Sequence, residues 1–177
     1  MSWFDVTFVL LKEKVDPLPF LVDFHKELAA INVVIDKSDQ EFITFNDTKA
    51  GEEKEIVELN ESMTIEEIIR QLCSWKALGL ICYRHPDFKF PVSIHYLTWD
   101  ERSLEGFTIG FNGKDHIHDL EHHKQDKLIG EISSLVNYKL VVGDVGPDSE
   151  TFVNLEQDLP VVIDEIANGT FRVEIRN

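Results

Sequence analysis

The densest group of potential metal ligands lies in residues 115–123, which hold four of the chain's seven histidines. If this stretch is helical, His118 and His122 stand at positions i and i+4 on one face, a spacing that can hold a divalent cation. Asp115 or Asp119 can then add an oxygen ligand. Asp119 also stands where the two-histidine metalloprotease helix has its glutamate, and no third ligand is marked by spacing. Two interpretations stay open: a divalent metal site at His118 and His122, or a solvated polar linker.

Carboxylates form the second chemical pattern. No basic residue lies between Lys139 and Arg172. Seven carboxylates fall in that interval: Asp144, Asp148, Glu150, Glu156, Asp158, Asp164 and Glu165. Such a surface repels phosphate and attracts cations, so the segment predicts a docking surface for a basic protein. The predicted contacts are Asp144, Asp148, Glu150 and Glu156, and charge reversal at the first three is expected to weaken binding without unfolding the protein.

The segment 84–91 combines local basic character with two aromatic residues. Loops at strand ends are held by a rigid scaffold, which makes Arg84 and His85 further candidates for partner contact. The alternative is structural: Phe88 and Phe90 pack into the core and the basic side chains are solvated.

Other catalytic templates are not met. Gly143 and Gly146 flank a turn that lacks the lysine of a phosphate-binding loop and carries an aspartate instead. There is no nucleophile elbow of the serine hydrolases. Cys73 falls on the apolar face of a predicted helix and Cys82 in a predicted buried strand, so both are interpreted as small core residues. No catalytic residue is predicted.

These side chains are positioned by elements that begin with a well-marked helix and strand. Thr64 and Glu67 form a predicted capping box, in which each residue's side chain accepts a hydrogen bond from the other's amide. The amphipathic helix that follows leads into a continuous apolar run at residues 78–83, which predicts a strand buried on both faces.

An earlier helix is predicted to begin with Asp16 as N-cap and Pro17 in its first turn. His25 lies off its apolar face and is expected to be exposed. Alternating residues from position 4 to 10 predict a strand ahead of this helix, inside the sheet rather than at its edge.

Further alternating runs predict strands, and periodic apolar residues predict two more helices. The strands fall near residues 33–35, 42–45, 54–59, 92–96, 107–111, 139–142 and 171–175, and the helices begin near 128 and 159. Gly169 is expected to end the last helix in a left-handed conformation. The order of elements predicts an α+β fold with a mixed, mostly antiparallel sheet and about four helices packed on it, in a single globular domain spanning residues 1–177.

Composition limits the function class. The chain has 177 residues, with 33 acidic against 17 basic side chains and a formal net charge of -16. This charge disfavours nucleic acid and anionic membranes as partners. No apolar run approaches the roughly 20 residues that span a bilayer, and the first residues lack the basic region of a signal peptide. A soluble, cytoplasmic protein is expected, as a monomer or small homo-oligomer.

In size, acidity and lack of a catalytic motif, the chain resembles the small acidic immunity or inhibitor proteins that bacteria keep against basic toxins such as nucleases. The resemblance is one of profile and no motif carries it. It implies a non-enzymatic binding protein that neutralises a basic protein partner and needs no cofactor. The alternative is a metal-dependent hydrolase that uses the histidines of residues 116–123.

Overall fold

The computed structural model describes residues 4–37, 41–45, 54–115 and 122–177. Within these ranges the chain forms a nine-stranded sheet and four helices. The strands are β1 (Phe4–Val15), β2 (Val34–Ile35), β3 (Glu41–Phe45), β4 (Lys54–Glu58), β5 (Gly79–Arg84), β6 (Val92–Leu97), β7 (Leu104–Asn112), β8 (Tyr138–Gly143) and β9 (Val173–Arg176). The helices are α1 (Pro17–Ala30), α2 (Ile65–Leu72), α3 (His123–Ser133) and α4 (Leu159–Asn168).

The strand order is β4-β3-β5-β6-β7-β1-β8-β9, and β2 pairs with β5. Every described pair is antiparallel, so the α+β prediction is confirmed while the sheet is less mixed than expected. β1 lies between β7 and β8, which confirms its predicted place inside the sheet.

The predicted capping box is present at the start of α2. The amide of Glu67 donates to Thr64 Oγ1 at 3.1 Å, and the amide of Thr64 donates to Glu67 Oε2 at 2.7 Å. Three side chains on the apolar face of α2, those of Ile68, Ile69 and Leu72, are fully buried. The cap therefore fixes where the helix begins, and burial of one face holds it on the sheet.

Two hydrophobic clusters lie on the two faces of the sheet. The first contains apolar residues of α1, α2 and α3 together with the inner residues of β1 and β5 to β8. The second contains Phe8 and Leu10 of β1, Leu140 and Val142 of β8, and residues of α4 and the segment before it. Alternation along β1 sends successive side chains to opposite clusters, so this strand is buried on both faces.

The prediction that β5 is buried on both faces is wrong. Ile81 and Tyr83 are fully buried in the first cluster, but Leu80 and Cys82 on the other face are only half-buried. The reason is position in the sheet, because the second cluster packs on β1 and β8, which are three and four strands away from β5.

Close packing explains two of the glycines. A Cβ atom at Gly106 would lie 2.6 Å from the carbonyl oxygen of Val9 on the neighbouring strand. Gly169 has φ -98° and ψ 167°, so the predicted left-handed cap is wrong. A Cβ atom there would lie 2.8 Å from the ring of Phe171, and this contact accounts for the glycine.

Candidate functional site

The predicted partner-binding carboxylates lie in residues 144–171, which connect β8 to β9 through α4 and are called the acidic lobe here. Its buried apolar side chains pack in the second cluster against β1 and β8: Val145, Val153, Val162, Ile166 and Phe171. The lobe is therefore anchored to the sheet by its apolar residues, and most of its charged residues face solvent.

Asp144 has a role in folding the acidic lobe. Its Oδ1 accepts hydrogen bonds from the amides of Val6 at 2.8 Å and Gly146 at 2.9 Å. Its carbonyl oxygen accepts from the hydroxyls of Ser149 and Thr151. Charge reversal at this position would break the hydrogen bonds that Oδ1 accepts from Val6 of β1 and from Gly146. The expectation that such a change leaves stability intact is therefore unsuited to Asp144.

A depression of about 500 Å³ lies in the acidic lobe. It is lined by residues 150–153, by Asp164 and Glu165 on α4, and by residues 168–171 at the end of that helix. Phe152 stands in it with 49% of its surface exposed, whereas Val153 and Phe171 are buried beside it. The fold thus brings three carboxylates, those of Glu150, Asp164 and Glu165, and one exposed aromatic residue into the lining of one depression.

The negative charge of the depression is not neutralised locally. Among the residues that the structure describes, no Lys, Arg or His forms an ion pair with Glu150, Asp164 or Glu165. Arg172 and Arg176 follow the lobe in sequence, but each pairs with a carboxylate outside the depression, at an N to O distance of 2.6 Å. A cation from another molecule would meet carboxylates here that have no ion pair among the described residues.

Helix α4 adds to the negative potential. It has no acidic residue in its first turn and no basic residue in its last turn, while Asp164 and Glu165 lie toward its C-terminal end. A carboxylate in the last turn repels the negative end of the helix dipole, at a cost of about 0.3–1 kcal/mol in an exposed helix, and this applies to Glu165. Apart from a 3.2 Å hydrogen bond from Gln157 to Glu165, no described side-chain contact offsets this cost. Charges that work against local stability mark a region as a candidate site.

The remaining predicted acids lie near the depression but do not line it. Asp148 and Glu156 are exposed in the segment before α4. The backbone here is held by local contacts, since the amide of Glu156 donates to Asn154 Oδ1 at 3.0 Å and the Trp99 indole donates to the carbonyl of Gln157 at 3.0 Å. Contact of Asp148 and Glu156 with a partner stays a prediction.

Arg84 and His85 lie elsewhere on the molecule. Arg84 is the last residue of β5 and His85 follows it, and β5 is four strands from β8, or roughly 19 Å at the usual strand spacing. Arg84 is exposed, yet its Nε lies 2.8 Å from Oδ2 of the buried Asp36. His85 is buried, and its Nδ1 accepts from the amide of Asp87 at 3.2 Å. The structure does not bring these two residues together with the acidic lobe, and their contact with a partner stays a prediction.

The predicted metal ligands are only partly described. His118 and Asp119 lie outside the described residues. His122 is the N-cap residue just before α3, with its Nδ1 2.9 Å from Gln125 Oε1 and 4.0 Å from Asp5 Oδ2. Asp115 is buried, and its two oxygens accept backbone amides of residues 89 and 90 at 3.0 and 3.2 Å, which occupies it structurally.

Within the described ranges, no group of three or more His, Cys, Asp or Glu side chains is arranged to hold a metal ion. The metal site at His118 and His122 therefore stays a prediction that no described contact supports.

The prediction that His25 is exposed is wrong. Its side chain is buried, with Nδ1 2.7 Å from the carbonyl oxygen of Leu21 and Nε2 2.7 Å from the hydroxyl of Tyr83. The hydroxyl of Tyr83 lies 2.5 Å from that of Tyr96. Because a carbonyl only accepts, Nδ1 donates, Nε2 accepts from Tyr83, and Tyr83 accepts from Tyr96. A signal was available, since His25 is four residues from Leu21 and three before Leu28, both core residues of α1.

Burial sets the protonation states of the three hydrogen-bonded side chains His25, Tyr83 and Tyr96. It lowers the pKa of His25 to about 4, against the opposing effect of the hydrogen bond to Leu21. It also raises the pKa of Tyr83 and of Tyr96. Both tyrosines are fully enclosed, at 0% and 1% exposure, so no substrate reaches them. The three hydrogen-bonded side chains are therefore part of the hydrophobic core and stabilise the fold.

The cysteines are half-buried free thiols. Burial, with a smaller effect of Asp16, raises the pKa of Cys73 to about 12, and burial, with a smaller effect of Asp36, raises that of Cys82. A protonated thiol is a poor nucleophile, which agrees with their interpretation as structural residues.

None of the helices that the structure describes has the length and apolar content needed to cross a bilayer. Comparison of the chain with protein-family models, with curated proteins and with solved structures gives no match.

Proposed function

We propose that the protein is a non-enzymatic binding protein whose acidic lobe engages a basic protein partner, in the manner of the small acidic immunity and inhibitor proteins that its profile resembles. The observation that supports this proposal is the depression in the lobe. It has three carboxylates without ion pairs among the described residues, and the surrounding segment has no basic residue.

The composition of the depression favours binding over catalysis. Its lining residues are acids, apolar side chains, Thr, Asn and Gly, so its carboxylates and Thr151 have no His, Cys or Lys beside them to complete an acid–base or nucleophilic set. An exposed aromatic residue inside a polar rim is instead typical of a protein contact.

Charge determines the class of partner. A formal net charge of -16 produces a long-range field that steers a basic protein toward the surface and repels nucleic acid and anionic lipid. Association by this route is fast and weakens as salt shortens the screening length to about 3 Å at 1 M. The partner is therefore a protein with an exposed basic surface, and binding is sensitive to ionic strength.

Capture of the partner from a lysate of the source cells tests this function. The immobilised protein should retain a basic protein at about 50 mM salt and release it at about 0.5 M. Replacing Glu150 and Glu165 with Gln should reduce capture of that same protein. The matched control replaces Glu13 and Glu27 of β1 and α1, two exposed glutamates outside the lobe, and should not. A partner held equally well at both salt concentrations, or lost equally in both variants, contradicts the proposal.

A further inference from the structure

Phe152 is the feature of the depression that charge alone does not explain. Burying a phenylalanine side chain stabilises a protein by about 1.5–3 kcal/mol, and a phenylalanine residue that stays 49% exposed loses much of that stabilisation. Its neighbour Val153 and the nearby Phe171 are buried in the second cluster. The ring is therefore presented at the surface by a segment whose other apolar residues are packed.

The ring and its surroundings favour a cation as occupant. The face of an aromatic ring carries a negative quadrupole that attracts cations within about 6 Å. Glu150, Asp164 and Glu165 line the same depression, and so does the C-terminal end of α4, where the helix dipole is negative. All three sources of potential have the same sign, so a cationic side chain gains from each.

Shape distinguishes the two basic side chains. The guanidinium of arginine is planar, stacks on an aromatic face, and still offers donors at its edge to carboxylates. The ammonium of lysine is a strongly hydrated point charge that gains less from a ring. A depression with an aromatic ring and carboxylates around it suits arginine better.

We propose that the depression receives an arginine side chain of the basic partner, with the guanidinium stacked on Phe152 and bound by Glu150, Asp164 and Glu165. This inference rests on the proposed function. It specifies arginine as the type of partner residue that the depression binds, and it makes Phe152 a determinant of specificity.

Titrations with a hexa-arginine and a hexalysine peptide at about 50 mM salt test the inference. The parent protein should bind hexa-arginine more tightly than hexalysine. Phe152→Leu keeps an apolar side chain but removes the ring, and should weaken hexa-arginine binding about threefold with a smaller effect on hexalysine. Val161→Ala, which changes an exposed apolar residue of α4 outside the depression, should leave both affinities unchanged.

The outcomes separate this inference from the proposed function. If Phe152→Leu binds both peptides like the parent while replacing Glu150 and Glu165 with Gln weakens binding, the arginine site is wrong and the acidic lobe remains the binding surface. If the Glu13 and Glu27 control pair weakens binding as much as the Glu150 and Glu165 pair does, the proposed function fails as well. Equal losses for the two peptides in Phe152→Leu would also overturn the preference for arginine.

Discussion

Replacement of Tyr83 by Phe tests the buried hydrogen-bonded chain and its direction. Tyr83 is the middle member, since its hydroxyl donates to His25 Nε2 and accepts from Tyr96. Removing that oxygen leaves two buried polar groups without partners, the imidazole nitrogen and the Tyr96 hydroxyl. An orphaned buried group costs about 1–3 kcal/mol, so Tyr83→Phe should lower the free energy of unfolding by about 2–6 kcal/mol.

Tyr96→Phe is the matched comparison because Tyr96 stands at the end of the chain. Its removal takes one donor from the oxygen of Tyr83, which still donates to His25. No buried donor is orphaned, so the expected loss is only about 0.5–1.5 kcal/mol, that of an ordinary hydrogen bond.

Urea unfolding followed by circular dichroism measures both losses. The midpoint should shift while the slope of the transition stays constant, because the fold itself does not change. Tyr138→Phe serves as control, since the half-buried Tyr138 has no side-chain hydrogen bond in the described structure and should change stability by less than about 0.5 kcal/mol. If Tyr96→Phe costs as much as Tyr83→Phe, the bridging role of Tyr83 is refuted.

Three further predictions concern pH and packing. The folded protein keeps His25 neutral down to about pH 4 while the unfolded chain protonates it near 6.5. The stability associated with neutral His25 is therefore complete above pH 6.5 and is lost as pH falls toward 4. Over this range the parent protein should lose about 3 kcal/mol more of its free energy of unfolding than His25→Gln does. Identical pH profiles of the two proteins in urea unfolding contradict this. Asp144→Ala should cost about 2–3 kcal/mol because two amides lose their acceptor, whereas Asp148→Ala should be nearly neutral in the same assay. Leu72→Ala should cost about 2–5 kcal/mol through the cavity it leaves beneath α2, and a loss under 1 kcal/mol would contradict its burial.

Local signals predicted the elements of the fold well. The capping box of Thr64 and Glu67 depends only on residues three apart, and the structure reproduces both of its hydrogen bonds. The place of β1 inside the sheet followed from alternation along one strand. Such features depend on neighbours in sequence, so the sequence alone displays them.

Contacts between distant segments were the part that the sequence concealed. Tyr83, the side-chain partner of His25, is 58 residues away, and no residue near the histidine in sequence predicts this contact. The spacing of His25 from Leu21 and Leu28 indicates the buried face of α1, but only the distant partner shows how a buried polar ring is satisfied. The half-exposed face of β5 likewise depends on where another segment packs, which is a property of the whole sheet.

The negative charge of the candidate site was predicted from the sequence, but the depression in its surface was not. The absence of basic residues from 140 to 171 marked the acidic lobe, and Glu150 was among the predicted contacts. The depression depends on the irregular segment 144–158 folding back beside α4, and irregular segments have no periodic pattern to interpret. Phe152 was therefore not recognised, and neither was the structural use of Asp144.

The most direct test of the central claim is the affinity of a hexalysine peptide for two variants with the same net charge. Replacing Glu150 and Glu165 with Gln should lower the association constant about fivefold at about 50 mM salt and reduce its dependence on salt. Replacing Glu13 and Glu27 with Gln should lower it less than about twofold. Equal losses in the two variants would mean that total charge, rather than the acidic lobe, binds the cation.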